Sequence, residues 1–175
     1  MKRFFTPLML ALLLPACSLQ PLYSSGSKGV VARTLGTIAI APIEGKNGWL
    51  MRNALTDRLG AQEGGSAEFR LIVVLDDQIE GFGVRADDTV TRERRTLRAR
   101  YQLVSVATGE TVLDTTAGSD AGVDVVSSEY ATIAGENSAL ENLTQKVADQ
   151  IVTRLSIYAR GERAAQKNVA LSVPS

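Results

Sequence analysis

In Thr91-Arg-Glu-Arg-Arg-Thr-Leu-Arg-Ala-Arg-Tyr-Gln-Leu103 the two sets of alternate residues differ sharply in character. Successive side chains of a β-strand point to opposite faces, so Arg92, Arg94, Thr96, Arg98 and Arg100 share one side. Leu97, Ala99, Tyr101 and Leu103 share the other, and only Arg95 breaks the pattern. The segment therefore reads as a strand with an apolar face fit to lie beneath helices and a cationic face left open. Guanidinium groups recur along it at roughly 6.7 Å, the rise of two strand residues. Five Arg and one Glu between Arg92 and Arg100 give a local balance of 5 − 1 = +4.

The strand is read from about Thr89 to Val106. Ala107-Thr-Gly-Glu110 reads as a hairpin turn, and Thr111 to about Thr116 as the antiparallel return. Upstream, Glu68 to about Ile79 predicts a strand with Phe69, Leu71, Val73 and Leu75 on one face; residues 81–88 read as a loop with Phe82 at its apolar tip. Gly36–Ile43 is β-branched and ends near Pro42, as a first strand does. Asn47 can cap a helix over Gly48–Leu59, where Met51, Leu55 and Leu59 recur every four residues and Trp49 is read as core. Residues 128–158 predict a long helix, with Gly135 as a candidate break, because Leu140, Leu143, Val147, Ile151, Leu155 and Tyr158 form one apolar stripe. The order β-α-β-β-β-α implies an α+β two-layer sandwich, two amphipathic helices on one face of a four-stranded sheet. Residues 36–160 form the domain in this reading, and residues 161–175 a flexible tail.

Lys2 and Arg3 precede an apolar run from Phe4 to Ala16, too short to cross a bilayer as a mature helix, so residues 1–16 read as a secretory signal. The run ends in Leu14-Pro15-Ala16-Cys17, which resembles a bacterial lipobox. Cys17 is then the first mature residue and carries the acyl chains; each buried methylene contributes roughly 0.8 kcal/mol, so several chains anchor firmly. Ser18 in place of Asp fits sorting to the outer membrane, and residues 17–35 read as the acylated Cys and a tether.

Composition narrows the chemistry. The 175 residues hold 19 Lys+Arg and 19 Asp+Glu, no His and one Cys, which excludes a His/Cys zinc site, a Ser-His-Asp triad, a Cys-His dyad and an internal disulfide. No cofactor is implied. Arg side chains make bidentate bonds to phosphate or carboxylate and keep their charge, so the ligand set Arg92, Arg94, Arg95, Arg98 and Arg100 points to a multiply anionic surface. Asp76 and Asp114 on flanking strands offer partial neutralisation, which the arginines are expected to outnumber. Nucleic acid is a poor match, because the aromatic stacking platform of single-strand binders is missing.

The chain resembles the LptE family of lipopolysaccharide-assembly lipoproteins. Cys17-Ser-Leu-Gln-Pro-Leu-Tyr23, the Leu50–Leu55 helix, the Thr91–Leu103 segment, the Tyr130-Ala131 pair and Ile151-Val-Thr-Arg-Leu155 fall in that family's order. The resemblance implies a helix-on-sheet fold, residence at the periplasmic face of the outer membrane, and a complex with the LptD β-barrel, whose lumen the lipoprotein plugs. It also implies contact with lipopolysaccharide, placed at the arginine strand; where other members carry a further basic residue before the last helix, this chain has Gly135. Two other readings remain: a lipoprotein pilot or scaffold of another outer-membrane complex, and an envelope enzyme using Asp76, Asp77 and Glu80, or Asp87 and Asp88, as acid and base. The expectation is a protein that is not an enzyme.

Overall fold

The computed structural model describes residues 30–60, 66–84 and 90–172. The chain runs α1 (Val30–Gly36), β1 (Ile38–Ile40), α2 (Gly45–Leu59), β2 (Phe69–Val84), β3 (Val90–Ser105), β4 (Thr111–Asp124) and α3 (Glu129–Ser172). The strands lie in the order β1-β2-β3-β4, with β1 parallel to β2 and the other pairs antiparallel. Helices α2 and α3 cover one face, so the fold is the α+β two-layer arrangement that the periodicities imply.

Alternation in β3 sets the layers. Leu97, Ala99, Tyr101 and Leu103 are buried with Leu71 and Val73 of β2, beneath Met51, Leu55 and Leu59 of α2 and the α3 stripe from Leu140 to Leu155. Burying an aliphatic side chain of this size contributes about 1.5–3 kcal/mol, so the stripe fixes both helices on the same face. Two polar residues of α3, Thr144 and Ser156, are also buried. Their hydroxyls donate to the carbonyls of Leu140 and Val152 at 2.8 Å, which removes the penalty of an unpaired donor.

Several boundaries differ from the sequence reading. The end of the assigned tether forms α1, because Val31 and Leu35, four residues apart, pack on the core; Leu35 is 2% exposed. Helix α3 has no break at Gly135 and runs through Ser172, across most of the segment read as a flexible tail. Arg163-Ala-Ala-Gln-Lys167 is a run of strong helix formers, and their propensity carries the helix past its apolar stripe. Strand β2 continues to Val84 and takes in Phe82, and β4 continues to Asp124. Beyond Thr116 the β4 residues are small, and the ladder to β3 supplies what β propensity lacks. Trp49 is 62% exposed and is not core.

Asn47 does not cap α2. The helix begins at Gly45, and the Asn47 Nδ2 donates to Asp77 Oδ2 at 2.6 Å instead. One turn in, a Cβ on Gly48 would lie 2.5 Å from the carbonyl oxygen of Ile43, so only glycine lets the β1–α2 link pass this close. The expected outcome for Gly48→Ala is a loss of about 1–3 kcal/mol in urea unfolding followed by circular dichroism, as for other overpacked sites.

Candidate ligand-binding face of the sheet

The uncovered face is assembled from residues directly opposite one another in the ladders. From β3 come Arg92, Arg94, Thr96, Arg98, Arg100 and Gln102; from β2 come Arg70, Ile72, Val74, Asp76, Gln78, Glu80 and Phe82; from β4 come Asp114, Thr116, Gly118, Asp120, Gly122 and Asp124. Among the described residues five arginines thus meet five acids, Asp76, Glu80, Asp114, Asp120 and Asp124. Among these residues the expected surplus of positive charge is absent. Its absence follows from strand length, since the extensions of β2 and β4 bring in Glu80, Asp120 and Asp124.

The predicted arginines divide into three kinds. Arg92 and Arg100 are ion-paired, the first through Nε to Asp124 Oδ1 at 3.0 Å, the second through Nη2 to Asp114 Oδ2 at 2.9 Å. Hydrogen bonding to Arg100, and then to Gln102, holds the Asp114 carboxyl below the usual carboxylate range, and the same contact raises Arg100. Both pairs are exposed and add little stability.

Arg94 and Arg98 make no ion pair among the described residues. Arg94 lies opposite Glu80 and places its guanidinium 5.2 Å from the centre of the Phe82 ring, a cation–π contact that leaves the edge donors available. Arg98 lies between Asp76 and Gly118, and the Asp76 carboxylate is occupied by the amide of Gln78 at 3.1 Å. Beside Arg98 is a shallow depression of about 370 Å³, lined also by Thr96, Thr116, Gly118 and Asp120. Ile72 and Val74 are exposed on the same face, Val74 by 65%, next to Gln102 and Arg100.

Arg95 belongs to neither group and is removed from the ligand set. Its odd position turns it under the helices, where it is 8% exposed. Nε and Nη2 reach the two oxygens of Asp77 at 2.8 and 2.5 Å, and Nη1 donates to the carbonyl of Glu136 at 2.8 Å. The Asp77 hydrogen bond, opposed by burial, leaves the Arg95 guanidinium above its usual value. Sequence reading missed this pin, although both partners sit at odd positions of adjacent strands. The same geometry separates the first set of acid–base candidates: Asp76 and Asp77 face opposite sides of the sheet, Asp77 is taken up by Arg95, and Asp76 and Glu80 share the open face four strand residues, roughly 13 Å, apart. Asp87, Asp88 and Cys17, the expected acylation site, lie outside the described residues.

Two residues before Arg95, the Glu93 Oε2 is shut off from solvent and has no hydrogen-bond partner among the described residues. Burial first, then the charge of Glu136 and a hydrogen bond that one carboxyl can donate to the other only when protonated, raise the Glu93 pKa above 4.5. A folded-state value raised in this way makes the native chain bind the proton more tightly than the unfolded chain. Its contribution to stability is complete below about pH 4.5 and is lost as pH rises through the folded value. Glu93→Gln is therefore expected to match the wild type near pH 4 and to exceed its stability at pH 7, by denaturation at the two pH values.

At Gly135, where the resemblance implies a basic residue, a Cβ would come within 3.2 Å of Val123 Cγ1, so α3 packs here on β4 too closely for a long side chain without adjustment. Among the described residues no cluster of three acidic or thiol side chains could hold a metal, and no helix is long and apolar enough to cross a membrane.

Known structures share this architecture. A lipoprotein from Caulobacter crescentus is 25% identical, with a TM-score of 0.64, over 75% of this chain and 96% of its own. A minor lipoprotein from Acinetobacter baumannii is 11% identical, with a TM-score of 0.54, over 69% of this chain and 89% of its own. Rare lipoprotein B from Shewanella oneidensis is 11% identical, with a TM-score of 0.51, over 78% and 97%; the last two likenesses speak for the fold alone. No curated protein matches the sequence. The model of the lipopolysaccharide-assembly family LptE matches residues 35–155, from α1 through the apolar stripe of α3, and the chain belongs to that family.

Proposed function

We propose that this chain is an outer-membrane lipoprotein, anchored by acyl chains on Cys17, that plugs an LptD-like β-barrel and binds lipopolysaccharide on the open face of its sheet. Family membership supports the coarser statement, a cell-envelope lipoprotein of lipopolysaccharide assembly. The observation that carries the binding claim is the pair Arg94 and Arg98, which share the uncovered face and are held by no ion pair among the described residues.

Their separation of four strand residues, roughly 13 Å, suits phosphates at two points of one amphiphile or on neighbouring molecules. Guanidinium forks bond phosphate oxygens in pairs, and so compete with the divalent ions that bridge lipopolysaccharide phosphates. Ile72 and Val74 offer acyl chains an apolar surface beside the arginine row. Because five acids balance five arginines, attraction is local and not a long-range field. The role is one of binding and positioning, without catalysis.

The test is affinity purification of the tagged, full-length chain from detergent-solubilised membranes. A large β-barrel recovered in fixed ratio is the expected result. Recovery with a secretin or a cell-wall complex instead would assign the chain to piloting or scaffolding another machine.

A further inference from the structure

The sheet ends in two unlike edges. β1 offers three residues and β4 fourteen. In an antiparallel ladder, pairs that exchange N–H···O=C bonds alternate with pairs whose N–H and C=O both turn away. The N–H of Val125 donates to the Thr91 carbonyl at 3.0 Å, which makes the odd residues inward-bonding; the even residues from Asp114 to Asp124 present their backbone to the free edge. An open edge of this length is a template for pairing with another chain.

At its midpoint the edge is closed. Gln150 of α3 reaches Gly118, where its Oε1 accepts from the N–H at 3.2 Å and its Nε2 donates to the C=O at 3.2 Å. A carboxamide carries the same donor and acceptor as a peptide group, so Gln150 occupies the place where an incoming strand would bond.

We propose that Gln150 is a stopper that prevents β4 from pairing edge to edge with β4 of a second copy of this chain. The register singles out that partner. Two-fold antiparallel pairing centred on Gly118 sets Asp114 opposite Gly122 and Thr116 opposite Asp120, so no two carboxylates face each other. Asp114 of one copy then lies diagonal to Asp120 and Asp124 of the other, but Arg100 and Arg92 already pair with Asp114 and Asp124, so with the stopper removed the charge pattern of the edge resists self-pairing only weakly. Gln150 is exposed, and its truncation takes nothing from the core.

The experiment compares full-length wild type and Gln150→Ala in detergent by analytical ultracentrifugation, with hydrogen exchange at the Gly118 amide. Expected are self-association of Q150A at least tenfold tighter than wild type and, at concentrations where it is monomeric, about tenfold faster exchange at Gly118. Adding Thr116→Asp, which sets a second carboxylate opposite Asp120 on each side of the two-fold, returns Q150A to the monomer. Equal association of Q150A and wild type overturns the proposal whatever the exchange rate, and so does a Q150A dimer that survives T116D.

Discussion

Replacing Arg95 with Ala lowers the unfolding free energy by about 3–5 kcal/mol, the usual cost of removing one partner from a buried ion pair. The guanidinium ties β3 to two elements, bonding both Asp77 oxygens on β2 and the Glu136 carbonyl on α3, and Asn47 of α2 donates to the same Asp77 carboxylate. Without it, the Asp77 side chain is left in a site nearly closed to water with one amide donor, and the Glu136 carbonyl loses the donor that Arg95 supplies. For a domain of this size the loss corresponds to a fall of roughly 6–20 °C in Tm. Arg95→Lys falls short of wild type, because an ammonium cannot span Asp77 and the carbonyl with a planar fork. The double variant Asp77→Leu/Arg95→Met recovers most of the loss, since matched removal leaves no orphaned charge. Urea unfolding monitored by circular dichroism measures all three. A change under 1 kcal/mol for R95A would show that Arg95 is not a structural pin.

The strand parity that exposed the layers was visible in thirteen residues, because hydrophobic and cationic side chains occupy opposite parities from Leu97 to Leu103. Arg95 stands at the wrong parity for a ligand, and its position, not its residue type, decides its role. Its partner Asp77 sits at the same buried-face parity of β2, so opposite charges on adjacent strands were the available signal. Charge balance on the open face was hidden for another reason. Ala117-Gly-Ser-Asp-Ala-Gly-Val-Asp124 has poor β propensity and reads as a loop, yet β3 templates it as strand, with Ala117, Ala121 and Val123 turned towards α3. Local propensity cannot report a pairing partner, so the two aspartates that this extension adds to the face are invisible to it. The side chain of Gln150 on the backbone of Gly118 is a tertiary contact that no periodicity encodes.

Arg94→Gln/Arg98→Gln is expected to weaken lipopolysaccharide binding about 100-fold with the fold intact. A charge-assisted hydrogen bond is worth about 1.5–3 kcal/mol, so two lost contacts amount to about two to four decades at 1.4 kcal/mol per decade, and the neutral hydrogen bonds that glutamine can still make hold the loss near the lower end. Neutral glutamine is the better substitution, because Glu at either position would face Glu80 or Asp76 across the ladder and add cross-strand repulsion. Neither arginine has an ion pair among the described residues, so circular dichroism and Tm should stay close to wild type. The companion variant Arg92→Gln/Arg100→Gln removes guanidinium groups already spent on Asp124 and Asp114 and should weaken binding far less. Salt discriminates further. Binding through local forks on a face of zero formal charge falls only gently as ionic strength rises from 50 to 500 mM, whereas binding to a cationic strip would collapse over the same range. If R94Q/R98Q binds lipopolysaccharide as tightly as wild type, the open face is not the binding surface; co-purification of the barrel with that same variant would then place the chain's role in the plug alone.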